Sequence, residues 1–560
     1  MKNLPLFFTI LPLVIMIFHI YSGQDNENSF RIFVENHVKI IEPKLKAMNV
    51  AYWNAAATGE EKYYKEQAEL ELEVRTIYSN KEEFEQLKKW KEAGNIKDPL
   101  LQRQLILLYN SYLVNQYDTV LLRKITEKSA EVQQKFNTFR PVLEGKEVTD
   151  NEIDEILKTE TNSDKRKKAW EASKEVGKLV ANDVIELVKL RNEGARKLGF
   201  KNFYEMSLIA SEQTMDEITS IFDELKKLSD EPFKKIKDEI DSKLSKKYGI
   251  KPEEMMPWHY QDRFFQEPPA IGNVDIDKYF KGKNIEKIAE KFYREIGLPV
   301  EKILSNSDLY PRKGKYQHAF CIDIDRKGDV RTMQNLTDNK RWMGTMLHEL
   351  GHAIYSINID SNLPFLLRQE SHIFTTEAIA MMMERQVDNA DWLQKMVGLS
   401  NEDKAIVNVE CRESLRMKAL IFCRWSQVMM RFEKALYENP DQDLNKLWWQ
   451  LVKEYQLVNP PPRRNEPDWA SKIHISQSPA YYHNYQLGEL MASQLQYYIG
   501  KNILKLQNTK EVCFAGEPQV GKYLRENIFH PGALYRWDEL IKQATGEKLT
   551  AKYFINEYVQ

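Results

Sequence analysis

Apolar residues recur at three- and four-residue spacing among charged ones from the end of an apolar N-terminal stretch to about residue 250. The stretches "NEIDEILKTE" (151–160) and "SKEVGKLVANDVIELVKLRNEGARKLGF" (173–200) are examples, and they predict a layer of amphipathic helices. Proline and aromatics interrupt that rhythm in "MMPWHYQDRFFQEPP" (255–269), which reads as a connection lining something. Between Tyr316 and Asn335 the pattern changes to two short strands, "YQHAFCIDID" and "VRTMQN", around the turn "RKGD", a hairpin signature. Helical spacing resumes at Asn339, and a proline cluster, "VNPPPRRNEPDW" (458–469), separates later helices. The expected fold is mainly α, a helical protein with one small antiparallel sheet.

Composition agrees. Glycine supplies 22 of 560 residues while Lys, Glu, Leu and Met are abundant, which favours helices with short loops. No Ser/Gly-rich linker divides the chain, so residues 24–560 are read as one domain. The 81 basic and 83 acidic residues are spread along the length and leave a net charge of −2, so no field attracts nucleic acid. At the N-terminus, Met1, Lys2 and Asn3 precede an apolar run from Leu4 to Ile20, then Ser22 and Gly23, the pattern of a signal peptide over 1–23. The expected location is extracytoplasmic, secreted or periplasmic, with no membrane span after cleavage. Cys321, Cys411, Cys423 and Cys513 have no metal-type spacing, and in an exported protein they allow up to two disulfides. Asn335-Leu336-Thr337 is a lone glycosylation sequon.

The chemistry centres on "GTMLHELGHAIYSINID" (344–360). His348 and His352 are four apart, so on a helix both imidazoles project from one face and can share a tetrahedral zinc. Glu349 stands beside the pair, within reach of a water activated by the metal. A third protein ligand is required. A metzincin needs histidine at 358, where Asn358 stands; thermolysin-like aminopeptidase spacing needs glutamate at 371, where Ser371 stands. Downstream, "RQESHIFTTEAIAMMMER" (368–385) offers Glu370, His372, Glu377 and Glu384. Glu377, with 24 residues intervening after His352, is chosen over Glu370; Glu384 is left a solvated or supporting role.

HExxH followed by a glutamate about two dozen residues on resembles two related groups, the peptidyl-dipeptidase family of angiotensin-converting enzyme and the thimet-type oligopeptidases. The spacing sits nearer the second. Other stretches favour the first: "QHAF" (317–320) is similar to its Cys-His-Ala strand, and "LWWQLVKEYQLVNPPPRRNEPDWASKIH" (447–474) to its WW, KYQ, PP and KFH run. Weaker similarity in "VKLRNEGARKLGF" and "MMPWH" extends the match over most of the chain.

The resemblance implies a large two-lobed protein with a deep central channel, one zinc per chain, Glu349 as general base, and His474 with Tyr485 as donors to the developing oxyanion. Tyr485 needs a one-residue insertion, the ungapped position being Asn484, and Tyr482 is the runner-up. It further implies a clamp for the substrate's C-terminal carboxylate from Lys472, Tyr481 and Gln266, and substrate backbone contacts at His318 and Ala319. Three departures stand out: Val452 and His483 replace the arginines that bind activating chloride, so chloride activation is not expected. Met381 stands where a carboxylate orients a zinc histidine, and Gln317 and Met333 replace a hairpin disulfide, leaving Cys321 a free buried thiol. The expected activity is release of dipeptides from short peptides with a free C-terminus. The alternatives are an endo-acting oligopeptidase and a non-catalytic peptide-binding homologue.

Overall fold

A computed structural model of the protein describes residues 11–269, 274–316 and 318–559, with side chains from residue 26 onward except 137. The first ten residues of the expected leader, the side chains of the rest of it, and Gln317 lie outside this description. The protein is 69% helical with two small antiparallel sheets, as the apolar spacing predicts. Among the described residues no helix is long and apolar enough to cross a membrane.

Nine helices lie between Leu11 and Tyr248 among the described residues, and their starts carry the expected caps. Asp98 accepts two amide N–H groups ahead of Pro99, and Thr149 and Thr214 form capping boxes with Glu152 and Glu217. The first four helices close their own apolar core around Phe30, Leu87, Leu105 and Tyr112. Phe365 and Leu366, from a short turn after the motif helix, complete that core and tie the N-terminal layer to the site. Asn49 adds a second tie, donating to the carbonyls of Asp323 and Ile324 at the hairpin end.

The helix Ser163–Lys197 runs through the main core and meets the proline cluster at Gly177, where a Cβ would lie 2.4 Å from the Pro467 carbonyl oxygen. That close approach seats the loop feeding residues 468–474. The hairpin pairs Phe320–Asp323 with Val330–Met333, shorter than the pattern predicted, and packs on the motif helix. A second sheet escaped the sequence reading: Val142–Leu143 against Lys146–Glu147. Its two-residue turn places Glu144 and Gly145 at φ 52° and 82°, the primed-turn geometry of tight hairpins. All four cysteines are free, and the Asn335 amide of the sequon is buried and donates to the Tyr316 carbonyl.

Candidate metal centre

The motif helix, Lys340–Ile357, starts at Asn339, whose side chain accepts the Trp342 amide. It packs against the helix Ile373–Glu384, and Gly351 permits the contact: a Cβ there would lie 2.7 Å from Ala380 Cα. His372 caps the second helix by accepting the Phe374 amide on Nδ1, and burial lowers its pKa to about 3, keeping the ring neutral as that acceptor role needs.

This packing brings His348, His352 and Glu377 together, their ligand atoms all within 4.8 Å of one another. His348 Nε2 and His352 Nε2 are 3.3 Å apart, and Glu377 Oε2 stands 3.6 and 3.8 Å from them. Ligands about 2.0–2.1 Å from a tetrahedral metal lie about 3.3 Å from each other, so the three atoms match three corners. Two bare imidazole nitrogens this close repel unless a proton or cation lies between them, and His₂Glu suits a borderline-soft divalent ion. The residues therefore fit zinc.

Each histidine is also held from behind. His348 Nδ1 pairs with Glu384 Oε2 at 2.9 Å, and the other Glu384 oxygen takes Lys418 Nζ at 3.1 Å. Burial works against the Glu384 charge, but Lys418 and His348 keep its pKa well below the usual range. His352 Nδ1 meets the Thr376 hydroxyl at 2.8 Å. These contacts fix which nitrogen faces the metal. They supply the support absent at Met381, from a residue one turn later and another beside the ligand. The sequence reading left Glu384 only a general role and missed Thr376 and Lys418.

Glu349 is 8% exposed, and burial pushes its carboxyl up to about 7, outweighing the nearby His348 charge. From His348 a cavity of about 640 Å³ extends past Gln266, Lys472, His474, Tyr482 and Tyr485. Lys472 Nζ donates to Gln266 Oε1 at 2.6 Å. Its ammonium stands 5.3, 5.4 and 5.5 Å from the ring centres of Phe264, Trp425 and Tyr482. Burial in this aromatic surround lowers the Lys472 pKa to about 8. Burial likewise lowers His474 to about 4, so its ring is neutral and can donate from one nitrogen. Tyr485 is pushed up to about 12 and remains a phenol.

The tyrosines fall differently from the register read in the sequence. Tyr481 does not join Lys472; its hydroxyl lies 3.5 Å from Glu377 Oε1, at the metal site. Tyr482 takes the place beside Lys472, with its hydroxyl fixed by Trp425 Nε1 at 2.7 Å. Asn484 turns away and accepts from Gln213, whereas Tyr485 lines the cavity. One inserted residue accounts for both shifts. His318 is exposed and packs on Tyr316, and Ala319 is half-buried just before the strand Phe320–Asp323. Val452 and His483 are buried, and burial lowers His483 to about 3, so neither carries charge at neutral pH.

A helical scaffold that converges an HExxH pair and a downstream glutamate, with the intervening glutamate buried beside them, is the layout of a metallopeptidase. A family model described as angiotensin-converting enzyme, peptidase M2, matches residues 24–560, and the chain belongs to that family. An angiotensin-converting enzyme of Theromyzon tessulatum is 20% identical over 511 residues, covering 84% of this chain and 80% of that protein. A thermostable carboxypeptidase 1 of Pyrococcus furiosus is 25% identical over 268 residues, 42% of this chain and 51% of that one. The angiotensin-converting enzyme of Mus musculus is 24% identical over 302 residues, 52% of this chain but 23% of its own length.

Proposed function

We propose that the protein is an exported zinc peptidyl-dipeptidase that removes dipeptides from the free C-terminus of short peptides. The observation that carries this reading is the Lys472–Gln266 pair, a buried cation and a neutral amide in a cavity that His348 of the metal triad also lines. A terminal carboxylate entering there would find a charge and a neutral donor at a fixed distance from the scissile bond. Export rests on the apolar pattern of residues 1–23 alone.

His348, His352 and Glu377 would hold the zinc. Bound there, zinc supplies the Lewis acidity that polarises the scissile carbonyl and lets water attack at neutral pH. Glu349, buried beside the triad, takes the proton of the attacking water and passes it to the departing amine. His474 and Tyr485 donate to the carbonyl oxygen as its charge grows. The strand Phe320–Asp323 pairs on one side with Val330–Met333, and its other edge supports an extended substrate passing His318 and Ala319.

The test is mass spectrometry of the products from a free-acid decapeptide and its C-terminal amide, with and without chelator, and with Glu349→Gln as control. Successive chelator-sensitive loss of dipeptides from the free acid alone is the expected result. Internal cuts in both peptides would move the protein to the endo-acting oligopeptidases. No cleavage by zinc-loaded protein would leave a peptide-binding homologue.

A further inference from the structure

Gln266 reaches Lys472 from a strained segment. Gln261 and Phe265 both sit in the left-handed region, at φ 65° and 53°, which non-glycine residues keep only where their surroundings hold them. Two side chains do the holding. Asp262 Oδ2 accepts the amides of Phe264 at 3.2 Å and Gln266 at 2.6 Å. Gln456 Nε2 donates to the carbonyls of Phe264 at 3.1 Å and Phe265 at 2.7 Å. Gln456 is 1% exposed and belongs to the "EYQ" of the 447–474 run, a motif that no step of the chemistry uses.

Three of these four bonds hold the two residues, Phe264 and Gln266, that stand beside one ammonium group. The Gln266 backbone is fixed by Asp262 while its side chain accepts from Lys472. Phe264 is bonded at both its N–H and its C=O, and its ring is one wall around the same ammonium. Lys174 packs on that ring as well, Nζ 3.3 Å from the centroid. Of the two left-handed residues, Phe265 is pinned directly by the buried Gln456 amide, and the Gln261 side chain donates to the Tyr248 hydroxyl.

We propose that Gln456 and Asp262 are positioning residues for recognition of the substrate's terminal carboxylate: they hold 261–266 in its strained form so that Gln266 and Phe264 frame Lys472. The proposal rests on the peptidyl-dipeptidase reading. It extends the carboxylate site to two residues that do not themselves line the cavity.

The experiment is titration calorimetry of zinc-loaded protein with the dipeptide Phe-Ala and with its C-terminal amide, in wild type, Gln456→Leu, Asp262→Ala and Asp262→Asn. Steady-state kinetics on a free-acid peptide and the thermal unfolding midpoint are measured alongside. Wild type should prefer the acid. Gln456→Leu and Asp262→Ala should lose that preference, raising KM for the free-acid peptide by up to about 100-fold while leaving kcat nearly unchanged. Asp262→Asn, which keeps an acceptor oxygen, should retain the preference. Folded Gln456→Leu or Asp262→Ala protein with the full wild-type preference overturns the proposal; should one variant not fold, the other decides. Absence of the preference in wild type defeats the peptidyl-dipeptidase reading itself, a distinguishable result.

Discussion

Lys472→Met should make the protein more stable and a worse enzyme. Burial takes the Lys472 pKa from 10.5 to about 8, so at ~1.4 kcal/mol per pH unit the fold carries this charge at a cost of roughly 3 kcal/mol. The side chain is 6% exposed, so solvent screening takes little from that figure. Because the folded-state pKa lies below the unfolded one, the folded protein binds fewer protons between pH 8 and 10.5. Stability therefore rises with pH through that window, and the whole cost is present below it. The methionine variant removes the cost and should unfold at a higher temperature at pH 7.

A substrate carboxylate reverses the balance. Its charge-assisted hydrogen bonds to Lys472 are worth about 1.5–3 kcal/mol, so Lys472→Met should lower kcat/KM for free-acid peptides by roughly 10- to 150-fold. In wild type, kcat/KM for the free acid should fall about tenfold per pH unit above pH 8, as the free enzyme's ammonium is lost. The residual free-acid activity of Lys472→Met should lack that limb, and Lys472→Arg should move it beyond the assayed range. Coinciding wild-type and Lys472→Met profiles would refute the reasoning, as would a Lys472→Met variant less stable than wild type at pH 7.

Glu349→Gln should lower kcat by about 10²- to 10⁴-fold with zinc content by atomic absorption unchanged; loss of the metal instead would make Glu349 a structural residue. Glu384→Gln and Thr376→Val should each weaken zinc by about 10- to 100-fold in competition with a chromophoric chelator, and unchanged affinity would show that the rings need no such support. Gly351→Ala must push the Ile373–Glu384 helix away from the motif helix. It should cost about 1–3 kcal/mol by calorimetry and reduce zinc retention together, and a rise in stability would contradict the close contact. Rates in sodium chloride and in sodium acetate at equal ionic strength should coincide, since Val452 and His483 offer no charge; severalfold stimulation by chloride would refute that register.

What could be read from the chain alone follows from how local each feature is. The His348–His352 pair is fixed by the repeat of one helix, and Glu377 lies on a helix whose periodicity is plain, so both are legible. The helical layer and the hairpin were equally visible, because burial on one face leaves a periodic trace. The Val142–Glu147 hairpin was not, since two residues per strand leave no alternation to detect. Lys418 sits in the charged helix Asn401–Glu438, where only tertiary contact separates it from other surface lysines. Thr376 carries no signal beyond its place beside a ligand. Tyr485 lines the cavity as expected, but the register at Tyr481 failed because 480–485 begins with Ala480 at φ 56°, its amide held by buried Glu433 at 2.6 Å. That local bend sets which of three nearby phenols faces Lys472, and no side-chain pattern records it.

The charges of the cavity differ in one respect. Arg385, which is buried, is bound by Glu489 and Glu557, and the exposed Lys418 by Glu384, so each of these cations already has its anion. Lys472 has only a neutral amide and three aromatic rings, with Asp262 and Glu267 acting on it from farther off. An unpaired buried charge is expensive, and the fold carries a second one in Lys174, which packs on the Phe264 and Trp170 rings with no carboxylate in ion-pair contact among the described residues. At Lys472 a substrate carboxylate would bring the missing anion, completing an ion pair already desolvated and aimed, and little reorganisation would oppose binding. An amide, or a chain passing straight through, brings no such charge. On the proposed reading, the same vacancy that weakens the free protein would separate a peptide's end from its middle, the distinction between an exo-acting peptidase and an endo-acting relative built on the same metal site.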